Sequence, residues 1–223
     1  MASVGQSFFR LFRGAGSDTA AADTKAGAST GRPTRHSSGL GEFTRTIAGQ
    51  ENLCILDLGS TSPQNIAHLT GLGHRVYNED VLTASLNPDF FSKKKDGSTS
   101  INTEKFLREN LSYKGQQFDA VLCWDIPDYL HESLVKAMIE RLAGVLKPGG
   151  VLLAYFHTKD AGPDAPYFRY HIAGKDSLDM QRGPQFRLQR IFNNRHIENL
   201  FRDFANIKFF LARDNVREVL VVR

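Results

Sequence analysis

The sequence predicts an α/β fold built on a mostly parallel sheet, with an antiparallel strand at or near one edge. Three observations carry this. Short apolar runs, CILDL at 54–58, FDAVLCWD at 118–125 and VLLAYFHT at 151–158, alternate with stretches whose apolar residues recur three and four positions apart. Glycine and proline punctuate the change from one kind to the other, as in KPGG at 147–150. The chain ends on IKFFLARDNVREVLVVR, two strand-like runs around an Asp-Asn turn, which supplies the antiparallel strand.

Taken in order, CILDL reads as the first strand. The stretch that follows has Ser62 as N-cap, Pro63 at the first helical position, Ile66, Leu69 and Leu72 at helical spacing, and Gly71 or Gly73 near its end. HRVYNED at 74–80 is a second strand, and residues 84–117, rich in Lys, Ser and Asn, carry no clear pattern. FDAVLCWD is a third strand, SLVKAMIERLAGVL a helix that KPGG ends, VLLAYFHT a further strand and NRHIENLFRDF an amphipathic segment. The 223 residues, 41% of them apolar and 23% charged, suffice for one core.

Ahead of this pattern lies a different composition. Residues 14–41 are dominated by Ala, Gly, Ser and Thr, hold no aromatic residue and have Leu40 as their single aliphatic larger than Ala. Such a segment buries too little surface to offset its ordering entropy, so residues 1–45 are expected to be a disordered tail and 46–223 the domain. SFFRLFR at 7–13 reads either as a frayed terminus or as a short basic turn touching a membrane surface or partner.

Charge and composition exclude several classes. Of the formal +4, the first 39 residues supply +3, from Arg10, Arg13, Lys25, Arg32 and Arg35 against Asp18 and Asp23. The remainder is almost neutral and lacks the basic footprint of a phosphate-backbone binder. No apolar run approaches the roughly 20 residues of a membrane span, and the start has no secretory pattern, so a cytoplasmic location is expected. Cys54 and Cys123 lie in apolar runs without metal-ligand spacing and read as buried, reduced thiols.

Four stretches in this order, ILDLGS at 55–60, the acidic end of HRVYNED, FDAVLCWDIPDYL at 118–130 and LKPGGVLLAYF at 146–156, resemble the class I S-adenosylmethionine-dependent methyltransferases. The resemblance implies a Rossmann-like three-layer αβα sandwich with a seven-stranded, mostly parallel sheet and a reversed last strand. It implies S-adenosyl-L-methionine as cofactor, bound beyond the carboxyl ends of the strands, where ligands of open parallel sheets sit. Asp57 and Gly59 would then order the turn at the cofactor's methionine end, with Ser60 and Thr61 beside them, and Asp80, or Glu79 as the alternative, would accept the ribose hydroxyls. The family pattern has two more glycines where this chain has Thr61 and Pro63. A Cβ at Thr61 either obstructs the ligand or is replaced in function by the hydroxyls of Ser60, Thr61 and Ser62.

Around this turn further candidates collect. Trp124 reads as core packing or as a cofactor contact, and Asp125, directly after VLCW, as a group orienting substrate or the cofactor's amine. Tyr129 is a substrate contact, and Asp128 a helix cap. Residues 157–190 are expected to form a substrate lid, with Arg169 and Arg187 pairing an anionic group, or else a solvated hairpin at the sheet edge. His157 and His171 are candidates for a general base or for structural roles. No N-P-P-Y-like signature of nucleic-acid amino-methylation is present, since W-D-I-P stands in its place. The expectation is a methyltransferase acting on a small-molecule acceptor, with an inactive scaffold of the same fold as the alternative.

Overall fold

The computed structural model describes residues 31–93, 95, 97, 99–159, 165–211 and 214–223. Its central sheet has six strands: β2 (Cys54–Asp57), β3 (Arg75–Asn78), β6 (Phe118–Trp124), β7 (Leu146–His157), β10 (Asn206–Leu211) and β11 (Val216–Val222), in the order β10-β11-β7-β6-β2-β3. Strands β3, β2, β6 and β7 are parallel, and β11 runs antiparallel to both β7 and β10. The expected reversed strand is therefore present, whereas the sheet has six strands and not seven among the described residues. After β3 come α3 (Val81–Ala84) and, in the poorly patterned stretch, a 3₁₀ turn, the two-stranded ribbon β4 (Phe91–Lys93) and β5 (Thr99–Ile101), and α4 (Thr103–Asn110), and none of them joins the main sheet.

The helix expected after the first strand is α2 (Pro63–Gly71). Ser62 caps it by accepting from the Asn65 amide, and Pro63 occupies its first turn. Helix α6 (Glu132–Val145) buries Leu134, Val135, Met138, Ile139, Leu142 and Val145, the three-and-four spacing read from the sequence. Its N-cap is His131, so Asp128 is not the cap; it lies in the short α5 (Ile126–Tyr129) with a different task. The amphipathic segment near the end forms α7 (Asn194–Leu200). Near the start of β7, Gly150 sits where a Cβ would come within 3.0 Å of the Asp119 carbonyl oxygen, so the KPGG stretch needs that glycine against β6.

The tail boundary moves. Residues 32–223 form one compact unit, so order begins well before residue 46. Thr34–His36 is a strand, β1, and Ser38–Ile47 a helix, α1, whose Leu40 and Phe43 are fully buried. Composition missed this because polar anchors fix the segment. Arg35 pairs with Glu218 of β11 at 2.7 Å and with Asp214, and Ser37 and the Gly39 amide donate to the Glu218 carboxylate. The disorder and amphipathic-turn expectations for residues 1–30 lie outside the described residues.

A second, three-stranded antiparallel sheet, β1-β9-β8, uses β8 (Phe168–Ile172) and β9 (Ser177–Arg182). The segment read as a lid or hairpin thus forms a hairpin, joined by β1. Both cysteines are free, and Cys123 is buried while Cys54 is half-buried. No described helix is long and apolar enough to cross a membrane.

Candidate functional site

The turn after β2 is ordered from beneath by Asp57. This carboxylate, 2% exposed, accepts from the Gly59 amide (3.0 Å), the Trp124 indole N–H (2.7 Å) and the Asn65 side-chain amide (3.0 Å). Burial pushes the Asp57 carboxyl above its ordinary range, and the three bonds pull the other way. A Cβ on Gly59 would lie 3.0 Å from the Trp124 ring, so only glycine permits this contact.

Thr61 does not fill the turn. Its side chain is exposed, its hydroxyl donates to Asn78 Oδ1 at 2.5 Å, and Asn78 in turn donates to the carbonyls of Asp57 and Gly59. The backbone there avoids the left-handed region, which is why threonine and proline stand in for glycine without strain. Ser60 donates to Asp80 Oδ2 at 2.8 Å, while Asp80 Oδ1 caps α3 through the Thr83 amide. Glu79 accepts from the Tyr113 hydroxyl at 2.5 Å, so of the two acidic candidates Asp80 is the one joined to the turn.

Strand β6 ends in a strained residue. Trp124 has φ 51°, a left-handed conformation that costs a non-glycine residue about 1–2 kcal/mol, and it is held there by Asp57 and by stacking on Tyr170 at 5.5 Å and 19°. Asp125 follows, 1% exposed. Its Oδ2 accepts from the Tyr170 hydroxyl at 3.1 Å and its Oδ1 has no hydrogen-bond partner. Burial, with the neighbouring Asp128 charge, pushes its carboxyl to about 7, against the lowering effect of His157 and the Tyr170 bond.

The hairpin lies directly over this turn. Asn65 donates to the Tyr170 carbonyl (3.2 Å) and accepts from the Ile172 amide (2.7 Å), bolting β8 to α2. Ser62 and His171 Nδ1 are 2.7 Å apart, and His171 Nε2 contacts Gln181 Oε1 at 3.0 Å. With Gln181 accepting, Nε2 carries the proton and Nδ1 accepts from Ser62. Burial holds this imidazole below its ordinary value, and both nitrogens are committed. The space enclosed by Gly59, Ser60, Trp124, Tyr167, Arg169 and Tyr170 is ≈ 10 Å³, room for about one water.

His157 takes a different position. Its Nδ1 (2.9 Å) and backbone amide (2.5 Å) both meet Asp128 Oδ2. Burial lowers the imidazole, but the Asp128 bond and the charges of Asp125, Asp128 and Asp214 outweigh it and hold His157 above its ordinary value. Tyr129 stacks edge-on to both His157 and Tyr167, within the same aromatic wall. Arg187 and Arg182 are exposed and line an outer cleft of ≈ 560 Å³ with Tyr167, Gly183 and Phe186; Arg169 belongs to the inner space. The structure therefore gathers Asp57, Gly59, Ser60, Asp80, Trp124 and Asp125 with Tyr170, and leaves Arg187 outside. Asn65 was not singled out from the sequence; a polar side chain at the third helical position, eight residues after a buried aspartate, is the signal for it.

Residues 56–154 match the family described as a methyltransferase domain. No curated protein sequence matches the chain. Among solved structures, the PH0226 protein from Pyrococcus horikoshii OT3 shares the fold at 13% identity, over 82% of this chain and 88% of that one, with a TM-score of 0.50. The 1,6-didemethyltoxoflavin-N1-methyltransferase from Burkholderia thailandensis aligns at 13% identity, over 83% and 78% respectively, with a TM-score of 0.46. A SAM-dependent methyltransferase from Methanosarcina mazei aligns at 16% identity, over 78% and 93%, with a TM-score of 0.44.

Proposed function

We propose, from the premise that residues 56–154 make this chain a member of the class I S-adenosylmethionine-dependent methyltransferases, that it transfers a methyl group to a small-molecule acceptor. The observation that carries this reading is the Gly59 turn, anchored by Asp57 and flanked by Asp80, at the carboxyl end of β2. The donor set fits the cofactor in kind. Gly59 offers backbone without a Cβ, Asp57 fixes the turn that would meet the methionine end, and Asp80 is the carboxylate for the ribose hydroxyls. S-adenosylmethionine, when bound, supplies an electrophilic methyl group on a sulfonium. This chain's residues orient the acceptor, exclude water and hold the proton it loses.

A small acceptor agrees with the roof that β8 makes over the turn and with an outer cleft of ligand size at Tyr167. Entry requires Tyr170 and Trp124 to withdraw from the turn. That closure favours the second reading, a domain of this fold that serves as a binding module without catalysis. Calorimetric titration with S-adenosylmethionine and S-adenosylhomocysteine separates the two. Micromolar binding, weakened at least tenfold by Asp57→Ala and by Asp80→Ala, is the expected result; no heat up to millimolar ligand leaves the binding module standing.

A further inference from the structure

Charge is sorted between the turn and its cover. The acids Asp57, Asp80 and Asp125 gather at the turn, whereas Arg169 lines the inner space and Arg182 and Arg187 line the outer cleft. No carboxylate among the described residues lines either space. Arg169 stands at the boundary of the two, its Cγ 3.6 Å from the place a Cβ on Gly183 would take. Its Nε is buried and has no hydrogen-bond partner among the described residues, a state that an acceptor atom would relieve. The wall of the outer cleft is aromatic. Tyr167 meets Phe186 edge-on at 5.0 Å, and its ring lies across Gly183, where a Cβ would come within 2.6 Å of it. Tyr167 also lines the inner space, and its hydroxyl approaches Ser60 of the turn. The backbone of the cleft is closed to a phosphate. Pro166 and Pro184 have no N–H, and the Gly183 and Phe186 amides donate to the carbonyls of Tyr167 and Pro184, so no run of free amides cradles an anion. Guanidinium groups alone remain, and their fork matches a carboxylate.

We propose that the outer cleft seats the acceptor and that the acceptor is a small aromatic carboxylic acid, its ring against Tyr167 and Phe186 and its carboxylate on Arg169 and Arg187. Its role as acceptor rests on the methyltransferase reading. The cleft, at ≈ 560 Å³, is in the size range of small-molecule sites and is open while the cover is down, so the acid docks without waiting for β8 to lift. Arg182, exposed at the same cleft, adds charge that draws the anion in. Of the two arginines that hold the carboxylate, Arg169 contributes more, because it is half-buried while Arg187 is exposed and screened by salt. The docked acid lies one side chain, Tyr167, away from the turn.

The test is calorimetric titration of the full chain, without cofactor, with 3-phenylpropionate, its neutral amide, phenethylamine and phenyl phosphate. The carboxylate is expected to bind about tenfold more tightly than the amide and the amine, and no more weakly than the phosphate. Arg169→Gln should remove that preference. Arg187→Gln, at an exposed position where folding is not at stake, should reduce it about threefold. Phe186→Ala should weaken the carboxylate and the amide by the same factor, since it removes the ring's wall and leaves the charges. Equal binding of carboxylate and amide, a preference unchanged in Arg187→Gln, or tighter binding of the phosphate overturns the carboxylate site. S-adenosylhomocysteine is titrated separately. Its failure to bind while the carboxylate preference persists removes the methyltransferase reading, and with it the acceptor's role, whereas its binding without a carboxylate preference removes this proposal alone.

Discussion

Asp125 carries a stability cost whose sign follows from its burial. The carboxyl lies near 3.8 in the unfolded chain and is raised to about 7 in the fold, so its contribution is fully present below pH 3.8 and is lost as pH rises through 7. Each pH unit of that interval is about 1.4 kcal/mol at most. Asp125→Asn should therefore gain on the wild type between pH 4 and 7 and level off about 1–3 kcal/mol more stable at pH 8, as read by urea unfolding across that range. Gly59→Ala acts oppositely. Its methyl group would press the Trp124 indole off Asp57, so a loss of about 1–3 kcal/mol and of cofactor binding is expected, by the same unfolding and calorimetric measurements. At this scale much was legible. Asp57, Gly59 and the Ser62–Pro63 helix start follow from local chemistry, because each acts on atoms a few residues away. Asn65 was not, since its partners on β8 are more than 100 residues distant in sequence.

The cover sheet is the element on which access depends. Asn65→Ala removes three buried hydrogen bonds, leaving Asp57 one donor short and the Ile172 amide without an acceptor, at a cost of about 2–4 kcal/mol. The expected signature is a red shift of Trp124 emission as Tyr170 unstacks, with helix content by circular dichroism unchanged. The hairpin was legible as a long segment, read as a lid or a solvated hairpin, since a compact domain retains such a segment over a site. Its third strand was not. Thr34–His36 has no apolar pattern and is held by the Arg35 ion pairs, whose acidic partners lie about 180 residues away.

For the whole molecule, the parallel core and its reversed strand were legible because apolar runs and their breakers mark each crossover. Strand number was not. The stretch 84–117 spends its buried apolar residues, Phe90, Ile101, Phe106 and Leu111, on packing beneath a ribbon and a short helix rather than on a seventh rung. The six-stranded sheet and the three-stranded cover share no ladder of hydrogen bonds. Lifting the cover therefore costs side-chain bolts and leaves the main sheet's ladder whole.

That separateness has a consequence in time. If the turn is reachable only while the cover is raised, a ligand waits for the protein and not the protein for the ligand. In stopped-flow mixing with S-adenosylhomocysteine, the observed rate should climb with concentration and then reach a ceiling equal to the opening rate. Asn65→Ala should raise that ceiling, and a rate that keeps climbing linearly would mean that the cover never stood in the way.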